Sequence, residues 1–191
     1  MKFTLSMAML LISVSGALAG PFGLEKGMKQ GALDIQAPME AGAYLLKSVP
    51  KPHDDFQMYG VTLGEQAGVC RIVAMSAEIE NDRYGLALRE KFEKIRSQLA
   101  QNYGSSTLYD TLGNSALYDD NSDWTMALTK HERVYSAEWK MSNSAEKSGI
   151  REIRLSLVGQ SRDSGMVTLL YIFDNVDDCL REISSKGSSA L

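Results

Sequence analysis

The chain has 191 residues, with 20 Lys or Arg against 24 Asp or Glu and a formal net charge of -4. That mild acidity, with no block of Lys or Arg, speaks against nucleic acid or an anionic membrane surface as the main partner, because both require clustered positive charge. Hydrophobic residues make up 44% of a chain within the usual single-domain range, enough to bury a core without help from a metal.

Residues 1–19 have the three parts of a secretory signal. Lys2 gives a positive start, Leu5, Met7, Met9, Leu10, Leu11 and Ile12 make 3–14 mostly apolar, and Ala17-Leu18-Ala19 offers the small-x-small pattern of a cleavage site. Cleavage is expected between Ala19 and Gly20, leaving 20–191 as one α+β domain. A spanning anchor would need about 20 consecutive apolar residues, and Ser6, Ser13 and Ser15 interrupt this run. No Cys stands at the new N-terminus to carry a lipid. The product is therefore expected to be periplasmic or secreted, with no membrane anchor.

Beyond the leader, Gly20-Pro21-Phe22-Gly23 reads as a loop and 28–35 as a short helix weakened by Gly27 and Gly31. A strand is expected over 44–49, stopped by Pro50 and Pro52. Two more, 57–63 and 69–79, are joined by the five-residue loop Gly64-Glu65-Gln66-Ala67-Gly68. Over 84–103, Leu88, Phe92, Ile95 and Leu99 recur at helical spacing, with Glu90 and Lys94 as an exposed i,i+4 pair and Gly104 as the stop. Residues 105–123 read as a long polar loop carrying a faint echo, Leu108-Tyr109-Asp110 and Leu117-Tyr118-Asp119. Ser122 or Asp123 would cap a short helix to about Lys130.

The last third is strand-rich. Tyr135, Ala137, Trp139 and Met141 alternate with polar neighbours, as do Ile153, Leu155 and Leu157, while 167–173 is apolar on both faces like a central strand. Asn175 then reads as the N-cap of a final helix with Asp177 and Asp178 in its first turn, and 184–191 as a polar, frayed tail. The expected fold is a mostly antiparallel sheet of five or six strands packed by one long and two or three short helices.

Cys70 and Cys179 are the only cysteines. An even pair in an exported chain is most simply a disulfide, here pinning the last helix to the sheet. Two buried free thiols or a redox pair are the alternatives, although redox pairs usually stand as Cys-x-x-Cys. His53, in Pro50-Lys51-Pro52-His53-Asp54-Asp55, has no partner at a metal-ligand spacing and reads as part of a solvated turn. His131 follows a helix, where a cationic ring suits the C-terminus. Asp119, Asn121 and Asp123 match the first ligand positions of a calcium loop, but Trp124 and Lys130 occupy the places that need Gly and Glu. No nucleophile elbow or phosphate loop occurs. Tyr135, Trp139, Tyr171 and Phe173 fall at core-facing spacing and read as packing. No catalytic residue, metal site or cofactor is expected.

Segments spread over the mature part resemble a family of uncharacterised secreted proteobacterial proteins. They are Phe22-Gly23-Leu24-Glu25-Lys26-Gly27-Met28, Ser48-Val49-Pro50-Lys51-Pro52-His53, Gly68-Val69-Cys70-Arg71-Ile72, Tyr84-Gly85, Asp123-Trp124-Thr125-Met126, the stretch from Lys130 to Trp139, and the surroundings of Cys179. The resemblance implies that the paired cysteines recur, and it carries over no activity or catalytic residue. Gly27-Met28 is similar to the opening of repeats in β-lactamase inhibitory proteins and small outer-membrane assembly lipoproteins. The functional expectation is a periplasmic protein-interaction module, an inhibitor, immunity-like factor or envelope accessory, whose partner is another envelope or secreted protein. Small-ligand or lipid binding ranks second and an envelope hydrolase third.

Overall fold

The structure, a computed structural model, describes residues 20–143 and 148–188. The leader expected over 1–19 lies outside the described residues, as does 189–191. The strands are β1 (Ile35–Pro38), β2 (Ala43–Leu46), β3 (Met58–Gly64), β4 (Gly68–Met75), β5 (Thr107–Leu112), β6 (Arg133–Lys140), β7 (Ile150–Gly159) and β8 (Gly165–Phe173). They form one antiparallel sheet in the order β1-β2-β3-β4-β8-β7-β6-β5. The class is α+β as expected, but the sheet has eight strands rather than five or six. The two additional strands, β1 and β5, are the two edges.

Three α-helices accompany the sheet among the described residues: α1 (Leu86–Tyr103), α2 (Trp124–Thr129) and α3 (Val176–Ser188). The apolar stripe of α1 is buried as its spacing requires, at Leu88, Phe92, Ile95 and Leu99. Fully burying side chains of this size contributes about 1.5–3 kcal/mol each. Its start departs from expectation. Gly85 takes a left-handed conformation at the N-cap with no side chain to offer, and Asp82 fills that role from outside the helix, its two carboxylate oxygens accepting from Leu86 N at 2.7 Å and Leu88 N at 2.8 Å. Gly104 closes α1 by donating its N–H to Ala100 O. Lys94 does not serve a pair with Glu90; it turns to Asp55.

Other local expectations shift by a few residues. The helix foreseen over 28–35 is a single 3₁₀ turn, Gln30–Ala32, followed by β1. Gly64 and Gly68 pair with each other, which tightens the β3–β4 turn to three residues. β4 ends at Met75, and Ile79 contributes only an isolated bridge to Gly165. The loop expected over 105–123 contains β5. Asp123 stands at the N-cap position of α2 as expected but makes no side-chain capping bond, and Asp120 caps the 3₁₀ turn before it. α3 runs on to Ser188, through the start of the tail expected from 184.

Register sorts the side chains into two faces. Ala137, Leu155, Leu169, Ala74 and Tyr59 lie in one cross-strand row and are buried against α1 and α2. Their neighbours, such as Ser156, Thr168 and Leu170, point to the opposite face, on which α3 packs at the β3–β4 end.

Candidate functional site

Cys70 and Cys179 stand at disulfide distance, with sulfurs 2.09 Å and Cα atoms 6.3 Å apart. Strand alternation alone would not bring them together, because it would put Cys70 on the α1 face with Ile72. A β-bulge decides otherwise. Thr62 pairs with Arg71 and Leu63 with Val69, so Cys70 has no cross-strand partner, and a bulged residue is re-aimed. Its sulfur enters a small cluster with Ile172, Val176 and Cys179. The same turn is tied to α3 twice more. Glu182 accepts from Gln66 N at 2.8 Å and Ala67 N at 3.0 Å. Asn175 donates its amide to Ala67 O and Val69 O at 3.0 and 3.1 Å. Asn175 is thus a crosslink to the turn, where the sequence reads it as a helix cap.

The remaining singled-out residues are spread apart. His53 is exposed; its Nδ1 accepts from Asp55 N at 3.2 Å and lies 3.8 Å from Asp55 Oδ2. Asp55 is buried and paired with Lys94 at 2.9 Å and Lys91 at 3.5 Å. Burial opposes its ionisation, but the Lys94 hydrogen bond and the charges of Lys91 and Lys94 outweigh that and hold the carboxyl below its usual range. This anchors the turn before β3 to α1. His131 takes a left-handed conformation just past α2 and is exposed. Asp123 is held by Arg83 at 3.4 Å and Arg162 at 3.0 Å. Asp119 and Asn121 are exposed. Tyr135, Trp139, Tyr171 and Phe173 are all buried in the core, and burial together with Tyr103 pushes the Tyr171 hydroxyl far above the ordinary tyrosine range.

The unfinished part of the molecule is the β5 edge. Gly113 donates its N–H to Glu132 O at 2.8 Å, which sets the phase of the β5–β6 ladder. Hydrogen-bonded pairs continue at Thr111, Tyr109 and Thr107, and the backbone groups of Leu108, Asp110 and Leu112 turn outward. Among the described residues no strand pairs with that side. Leu108 is 44%, Tyr109 38% and Val134 on the neighbouring strand 51% exposed. The edge thus has a free ladder and apolar side chains on both faces.

Beside it, on the helix face, lies a groove of about 410 Å³ lined by Tyr84, Leu86, Arg89, Asp110, Trp124 and Arg133. The Trp124 ring carries two guanidiniums, Arg89 at 4.8 Å and Arg133 at 5.4 Å from its centroid, an arrangement favoured by the ring quadrupole. Trp124 itself sits where it does because of Gly85: a Cβ at that position would collide with the ring. Arg89 donates to Gly85 O and Tyr84 O, and Arg133 pairs with Asp110. Sequence reading missed Arg89, Arg133 and the β5 edge as a unit, since three distant segments supply it. The signal available was an Asp-Trp at a helix start, which reads as capping.

A larger, open trough of about 820 Å³ borders α3, between the β1–β2 and β3–β4 turns, with Tyr44, Leu63 and Ile183 beside Lys29, Glu65 and Glu182. Lys29 there donates to Gln66 O at 2.6 Å. Comparison with protein-family models, with curated proteins and with solved structures finds no match to this chain.

Proposed function

We propose that this chain is a protein-interaction module of an exported, oxidising compartment, and that it takes an extended segment of a partner protein as an added strand on β5. What carries the reading is the outward-facing, unpaired ladder of Leu108, Asp110 and Leu112, flanked by exposed Leu108, Tyr109 and Val134. Main-chain bonding at a sheet edge supplies affinity in this mode, and alternate side chains supply selectivity. Trp, Tyr and Arg beside the edge are the residue types that dominate interface energetics. The Cys70–Cys179 pair suits an oxidising compartment.

The test uses the direction of the backbone. Proline at 108 removes an outward N–H and leaves the β6 ladder whole, so Leu108→Pro should fold normally. In crosslinking from the periplasm of an expressing cell, followed by mass spectrometry of the adduct, wild type should yield one stoichiometric partner joined near β5 and Leu108→Pro should not. Equal recovery by both proteins would sink the reading.

A second reading, small-ligand binding, draws on the trough beside α3, whose volume lies in the range of ligand sites. Ile183→Trp would fill it. If this reading holds, a ligand co-purifying with wild type would be lost from that variant while β5-directed crosslinking stayed unchanged.

A further inference from the structure

The groove beside β5 states what kind of segment the edge would take. Two guanidiniums, Arg89 and Arg133, share the Trp124 ring, and among the described residues Asp110 is the one carboxylate that pairs with either. The other acids nearby are committed elsewhere: Glu93 closes on Arg96 at 2.6 Å, and Asp123 on Arg83 and Arg162. The donors of Arg89 that make hydrogen bonds are held by the carbonyls of Gly85 and Tyr84. Arg133 is held by Asp110 through Nη1, and its Nε is buried away from solvent. The groove therefore holds an excess positive charge, next to a strand edge that has no partner strand among the described residues.

Resting on the β5 reading above, we infer that the added segment carries a glutamate that seats against Arg133. Alternation fixes where it stands. Leu112 pairs with Arg133 across the β5–β6 ladder, so a residue of the incoming strand opposite Leu112 shares the helix face with Arg133. Two strand spacings of about 4.8 Å each separate the two backbones, a span that the long Glu and Arg side chains bridge over Leu112. The place opposite Asp110 takes a neutral residue, because an acid there would face Asp110 directly. Trp124 holds the Arg133 guanidinium against its ring, so the acceptor meets a donor already in position, and charge-assisted bonds of this kind are short and strong.

Fluorescence anisotropy on the purified, disulfide-bonded protein tests this with three labelled nonapeptides. Each is a Thr-Val repeat with a single Glu, Gln or Lys at its centre. The Glu peptide should bind roughly tenfold more tightly than the Lys peptide, with Gln between, and the difference should shrink as salt rises. Arg133→Gln should bring the three within about twofold of one another while all still bind. Arg133→Lys, which keeps the charge, should retain part of the preference and so separates loss of charge from loss of packing on Trp124. Leu108→Pro should abolish binding of all three. Equal binding of the three peptides by wild type, still abolished by Leu108→Pro, would overturn the glutamate inference and leave the edge reading standing. Binding of none up to millimolar concentration would overturn both. A wild-type dimer in light scattering that Leu108→Pro dissolves would assign the edge to a second copy of the chain, which also overturns the inference.

Discussion

The sheet ends in two strands that are finished in opposite ways. β1 is four residues long, has an irregular register between Ile35 and Ala37, and ends in Pro38. Met39 N–H donates to Ala43 O at 2.8 Å, so alternation turns position 38 outward, and the missing donor of Pro38 falls on the solvent side. β5 is six residues long, regular in register, and carries neither Pro nor Lys. Shortness, bulges, Pro and Lys are the usual devices that keep an edge from recruiting another chain. The β1 edge has three of these, while β5 has none of the four and carries a single charged side chain, Asp110, which is paired with Arg133. The half of the molecule next to β1 is also the braced half, with the disulfide, Asn175 and Glu182 fastening α3 to the β3–β4 turn. Stability devices and the exposed ladder are thus separated along the sheet, and substitutions should affect one without the other.

The largest expected effect tests that separation from the braced side. Replacing both cysteines, Cys70→Ala with Cys179→Ala, removes a crosslink between residues 109 apart and should lower stability by about 4 kcal/mol on the chain-entropy model, read by urea denaturation. Peptide binding at β5 under folding conditions should be unaffected; a matching loss of binding would break the comparison. Gly85→Ala acts at the other end. A left-handed φ of 64° and the collision with Trp124 should cost about 1–3 kcal/mol. They should also alter the near-ultraviolet circular dichroism of Trp124 and weaken binding at the groove.

A pair of proline scans sharpens the comparison further. Tyr109→Pro removes a ladder bond to β6 and should cost about 1–3 kcal/mol, whereas Leu108→Pro, one residue away, should stay within about 1 kcal/mol of wild type. Equal losses would mean that the phase of the ladder is other than described. Pro38→Thr should change stability by less than about 0.5 kcal/mol yet raise light scattering on mild heating, because it restores a donor to the β1 edge.

The smallest effect concerns pH. The carboxyl of Asp55 is held below its usual value in the folded chain, so its contribution is present above the ordinary carboxylate pKa and is lost as pH falls through the lower, folded value. Melting temperature followed from pH 7 to pH 3 should fall for wild type, and Asp55→Asn should start lower and decline less steeply over the acid end.

Legibility followed burial. β6 and β7 alternate in sequence because one face is packed under α1 and α2 and the other is half-exposed. α1 was readable through Leu88, Phe92, Ile95 and Leu99 for the same reason. β8, central in the sheet, is apolar on both faces and readable for that reason. β5 left no trace, because its first five residues are exposed on both faces and no alternation is demanded of them. β1 was hidden by Pro38 and by its shortness. The cap of α1 was missed since Asp82 reaches past Gly85 to donors four and six residues on, outside any short motif. Cys70 and Cys179 were readable as a pair, but not the bulge that aims one at the other.

By itself, then, the order of residues determined the fold class, the central strands, the long helix and its stop, since each depends on contacts that repeat every two or three to four positions. Which strands are the sheet's edges, which face Cys70 takes, and the meeting of Arg89, Trp124 and Arg133 beside β5 were decided only in the folded chain. Those features arise from strand pairing and packing between distant segments, and a free edge has no partner strand to impose a period on its sequence.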